Sequence, residues 1–95
     1  MSRDISPNKG EDELNMAFLI WLKNHRIPQL LELKDFVSKG QKLFDSDLLF
    51  LQQALADARQ NITMVERHPE FKELVGKVFS LYDEITKLAL ENENI

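Results

Sequence analysis

Cysteine is absent from the 95 residues of this chain. Its absence excludes disulfides, thiol nucleophiles and thiolate metal sites together, and fits a reducing compartment. Glycine and proline are scarce, at three residues each, which argues against a loop-rich fold and suits long helices with few turns. No long hydrophobic run is present. The longest near-continuous one, residues 14–22, is broken by Asn15 and falls far short of the roughly 20 apolar residues that span a bilayer. The first ten residues have only Ile5 to bury and no signal-peptide core, so a cytoplasmic protein with a poorly ordered tail over residues 1–10 is expected. Positive charge is in deficit, with 12 Lys/Arg against 16 Asp/Glu and a net charge of −4. That balance disfavours a general polyanion binder.

What is present is helical periodicity. One apolar stripe runs Phe44, Leu48, Leu51, Leu55, Ala58, Ile62, Val65, and a second runs Phe71, Leu74, Val78, Leu81, Ile85, Leu88. Both step by threes and fours, the pattern of a helix face packed on another helix. His68-Pro69 separates them, so the spacing predicts a long antiparallel hairpin of helices near 45–67 and 69–91. Asp45, followed by Ser46 and Asp47, reads as the N-cap of the first, with Phe44 and Leu49 as its hydrophobic staple. Pro69 suits the first turn of the second.

Upstream, Glu11-Asp12-Glu13 and the cluster Lys23, His25, Arg26 place complementary charge at the two ends of a helix near 11–25. Pro28 closes that segment and opens another near 29–39, which Gly40 terminates at positive φ. The expected fold is therefore all-α: a four-helix bundle-like single domain over 11–95, built on the hairpin, with two shorter N-terminal helices. Its core should include Leu48, Leu51, Leu55, Ile62, Phe71, Leu74, Val78, Leu81 and Ile85. Gly76 reads as a point of close helix approach.

Chemistry is hard to find in these residues. His25 and His68 both fall at predicted helix boundaries, with no acid–base set around them. No Glu-x-x-His pair occurs, and Asp45-Ser46-Asp47 lacks the glycine and closing glutamate of a calcium loop. The three glycines are isolated, so no phosphate-cradling loop exists. No catalysis, no cofactor and no metal are expected.

Apolar surface, by contrast, is in excess. The first helix carries Leu14, Phe18, Trp21 and Leu22 on one stripe and Met16, Leu19 and Ile20 on other faces. It lacks the lysine-rich face of a membrane-surface helix. The last helix carries a second line, Val75, Tyr82 and Ala89. Such coverage calls for contact on more than one side, and a homodimer through one of these two surfaces is expected. The preferred reading is a protein–protein interaction module, an adaptor or regulator, with Phe18, Trp21 and Tyr82 as partner-binding anchors in a groove between the first and last helices. The alternative is a nucleic-acid-associated regulator. Segment 23–42 holds five Lys/Arg against Glu32 and Asp35, with Lys34, Lys39 and Lys42 placed for phosphate contacts. The acids and leucines that open the following helix are poor chemistry for a base-reading element.

Overall fold

The computed structural model describes Leu14 and residues 16–93, without the side chains of Met64 and Glu70. The expected tail over 1–10 and the acidic start of the first helix lie outside the described residues. Among the described residues the chain is all-α and has no strand. We label α1 (residues 16–21), a five-residue π-helical turn Leu22–Arg26, α2 (Ile27–Ser38), α3 (Asp45–Gln60), α4 (Ile62–Arg67), a 3-10 turn Pro69–Phe71, and α5 (Lys72–Glu93).

Pro28 does not end a helix. Trp21, Arg26 and Ile27 all keep right-handed helical dihedrals, so α1, the π turn and α2 form one continuous rod. The reason lies one turn upstream of the proline. A proline inside an α-helix lacks the N–H that would bond four residues back, and its ring strikes that carbonyl, here that of Asn24. In the π turn the Ile27 N–H instead reaches Leu22 O, five residues back, and the added residue opens the space the ring requires. Two short helices bent at Pro28 are thus replaced by one rod with a widened turn.

Gly40 behaves as the sequence predicts. α2 stops at Ser38, the N–H groups of Lys39 and Gly40 bond back to Phe36 O and Val37 O, and Gly40 takes φ +89°. The start of α3 shifts by one residue: Phe44, not Asp45, is the N-cap, in extended conformation. Phenylalanine has no side-chain acceptor, so only half of a capping box forms. The Asp47 carboxylate accepts the Phe44 N–H at 2.9 Å, while Asp45 and Asp47 place negative charge on the first turn. The long helix expected over 45–67 is interrupted at Asn61. Its side-chain amide donates to Asp57 O at 2.7 Å and its N–H bonds Ala58 O, a local bond that competes with the helical ladder. After His68, Pro69 opens the 3-10 turn and α5 runs 22 residues.

Cross-element pairs fix directions. Lys34 Nζ meets Glu84 at 3.2 Å, and Asn92 Nδ2 donates to Val37 O and Gln41 O. Both sets advance together, so α2 and α5 run the same way. Arg26 pairs with Asp57 whereas the Phe36 ring meets that of Phe44, so α3 runs back along α2.

The core gathers Leu19, Leu22, Ile27, Leu30, Leu33 and Val37 from the first rod with Val75, Val78, Leu81, Ile85 and Ala89 from α5. From α3 it takes Leu51, Ala54 and Ala58. Of the expected core positions, Leu51, Phe71, Val78, Leu81 and Ile85 are buried, and Leu55 and Leu74 are half-buried. Leu48 and Ile62, each 45% exposed, are not core. The buried face of α3 is rotated towards its alanines, because α3 must touch α2 on one flank and α5 on the other. Gly76 also departs from expectation: a Cβ at that position would meet nothing within 4 Å, so the glycine permits no close approach. Asn92, one residue past the end expected for the last helix, is buried and closes the carbonyls at the end of α2.

Candidate interaction surface

An aromatic seam follows the line where the first rod meets α3. The rings of Phe18 and Trp21 stack with centroids 6.0 Å apart. The Arg26 guanidinium lies 4.5 Å from the Trp21 ring centroid and 5.4 Å from that of Phe50. Phe50 in turn lines a groove with Leu33, Phe36 and Phe44, the last two with ring centroids 6.1 Å apart. Five of the eight aromatic side chains therefore lie on one seam.

The π turn builds the centre of this seam. Residues five apart lie on different faces of an α-helix, but the i→i+5 ladder of a π turn brings them into register. Trp21 and Arg26 are five apart, and the widened turn sets the cation against the indole face. Arg26 is 5% exposed, and its Nη2 pairs with Asp57 Oδ2 at 3.1 Å. Gln53 Nε2 donates to the other carboxylate oxygen at 2.9 Å, fixing the carboxylate from behind. Nε and Nη1 of Arg26 are buried with no hydrogen-bond partner among the described residues. Sequence reasoning placed Arg26 only as a charge at a helix end. The readable signals were the five-residue spacing from the single tryptophan and the proline two residues later.

Of the predicted anchors, Phe18 and Trp21 are brought together and Tyr82 is not. Trp21 is 37% exposed and Phe18 half-buried, and both stand at the α1 end of the first rod. Tyr82 sits beside Glu84, which pairs with Lys34, thirteen residues beyond Trp21. At 1.5 Å per residue that is about 20 Å along the rod. Tyr82 is half-buried against the core, and its companions Val75 and Ala89 are buried. The second line of the last helix is consequently covered by the chain itself and offers no dimer surface. The outer faces of α1 remain open: Leu14, Met16 and Ile20 are all exposed.

The three lysines of the alternative reading are unequal. Lys34 is held by Glu84, and Lys39 by Asp35 at 3.0 Å one turn back. Lys42 is exposed in the loop after Gly40 and has no ion-pair partner among the described residues. Two of the three expected phosphate contacts are thus already matched by carboxylates.

The described residues hold no group of three or more His, Cys, Asp or Glu side chains arranged to bind a metal ion, and no described helix is long and apolar enough to cross a membrane. Comparison with known proteins brings no relative: no family model, no curated protein and no solved structure matches the chain.

Proposed function

We propose that this chain is a protein–protein interaction module, an adaptor or regulator that binds through apolar contact and performs no catalysis of its own. The observation that carries the reading is the state of α1. This helix buries Leu19 on one side, yet leaves Met16, Ile20 and Trp21 at the surface, with Phe18 stacked beside the indole. Clustered apolar exposure on a small protein marks a contact surface, and aromatic side chains dominate the energetics of such contacts. Phe18 and Trp21 are the proposed anchors, while Tyr82 supports the scaffold from α5. That scaffold is, on this reading, a bundle built on the antiparallel hairpin of residues 45–67 and 69–91. The protein works in the cytoplasm and forms a homodimer.

Trp21→Glu tests the reading. The side chain is partly exposed at the end of a rod, so the variant should keep its helical circular dichroism while losing co-purifying protein. Neutralising Lys34, Lys39 and Lys42 together should leave binding within about threefold, because an apolar contact responds weakly to charge. A steep salt dependence, with binding destroyed by the lysine changes and retained by Trp21→Glu, would sink the protein reading in favour of nucleic acid.

A further inference from the structure

The end of the seam furthest from α1 is a groove of about 450 Å³ between α2 and the start of α3. Leu33, Phe36 and Phe50 line it together with Phe44, whose side chain is largely open to solvent at 66% exposure. Gln29, Glu32 and Asp47 supply the polar lining, so every charge on the groove is negative. Asp47 is engaged, since one of its oxygens accepts the Phe44 N–H. Glu32 is exposed and makes no ion pair among the described residues. Two residues before Phe44 stands Lys42, an exposed cation with no ion-pair partner among the described residues. The groove is thus an acid-rimmed apolar hollow walled on one side by an exposed aromatic, and a cation stands two residues along the chain from that aromatic.

A two-fold contact requires one patch to supply both halves of the fit, and this patch does. We propose that the occupant of the groove is a second copy of the chain. Across the two-fold axis Phe44 of each copy enters the groove of the other, and Lys42 of each copy meets Glu32 of the other. The proposal rests on the protein-contact reading above and adds to the α1 surface a second contact site at the other end of the seam. It also answers a size constraint, because a 95-residue chain has a limited core and gains burial by pairing.

The test is mass by sedimentation equilibrium from micromolar to millimolar concentration, with single variants and a charge swap. The wild type should give twice 11.1 kDa. Glu32→Lys and Lys42→Glu should each raise the dissociation constant about tenfold, since symmetry puts each change into the interface twice. The double variant should return to within about threefold of wild type, which no local loss of structure would produce. Phe44→Ser should also weaken the dimer about tenfold or more, yet it places a favoured capping residue at the N-cap and so keeps or raises the thermal stability of the monomer. A mass of 11.1 kDa throughout would overturn the proposal. So would a dimer indifferent to all four variants; if Trp21→Glu then split that dimer, the protein-contact reading would stand with its interface on α1.

Discussion

Removing the Asp57 carboxylate should be the most damaging polar change this protein can suffer. Arg26 is almost fully buried, and Asp57 is its one anionic partner among the described residues, joined through a single 3.1 Å contact. Two guanidinium nitrogens already lack partners among the described residues, so no spare bond there compensates when the carboxylate goes. Leaving a buried charge uncompensated costs about 3–5 kcal/mol, against a total of about 5–14 kcal/mol for a domain of this length. With a urea slope of roughly 1–2 kcal/mol/M, Asp57→Ala should lower the denaturation midpoint by about 2 M or more. Arg26→Met makes the opposite case. It loses the interaction with Trp21, about 1–2 kcal/mol, but also removes the unpartnered donors, each worth roughly the same. Its net effect should stay within about 1 kcal/mol. The double variant should then resemble Arg26→Met alone, giving a coupling energy of about 3–5 kcal/mol between the two sites, the whole cost of Asp57→Ala. Urea denaturation followed by circular dichroism measures all three. A cost below about 1 kcal/mol for Asp57→Ala would refute the reasoning, because it would mean that water reaches the guanidinium freely.

Three further outcomes follow from packing. Gly76→Ala should stabilise the protein by about 0.5–1 kcal/mol, since the site is helical and the new methyl meets nothing within 4 Å; thermal denaturation would show the gain, and a loss would place a neighbour there. Asn92→Ala should cost about 1–3 kcal/mol by stripping Val37 O and Gln41 O of their shared donor. Faster amide exchange around Lys39–Gln41 should accompany it, and unchanged exchange would count against the tether. Leu51→Ala should cost about 2–5 kcal/mol while Leu48→Ala costs under about 1 kcal/mol, and equal losses in chemical denaturation would contradict the rotated face of α3.

Much of the fold was legible because its signals are local. Gly40 ends α2 at positive φ for a reason visible in one residue, and Pro69 opens the last helical segment for a reason visible in two. The all-α class follows from periodicity alone. What the sequence hid depends on partners distant along the chain. Asn92 looks like surface until α2 ends beside it, and Arg26 looks like a helix terminus until the turn around it widens. Pro28 departs from expectation for a related reason: the rule against proline in a helix is local, whereas the π turn that satisfies it is a rearrangement of the preceding residues. Phe18 and Trp21 were legible as a pair from their spacing, but their separation from Tyr82 required the relative direction of two rods.

The face of α3 shows why a correct period can still select the wrong residues. At about 100° per residue, the leucine line Leu48–Leu55 and the line Phe50–Asp57 lie on opposite flanks of the arc centred on Ala54 and Ala58. A helix with one neighbour buries its most apolar line, and the leucines would win. α3 has two neighbours. It must present Phe50 and Asp57 towards Arg26 and also cover α5, so the middle of the arc, not its most apolar edge, goes deepest. Alanine suits that middle because its small side chain lets the helix sit close to α5, and Ala54 and Ala58 are each 1% exposed. The displaced leucine line is left at the edge, with Leu48 open and Leu55 half-covered. The apolar surplus that the sequence announced is therefore real, but part of it lies on α3 and at the Phe44 groove, where periodicity read as a single stripe had assigned a core.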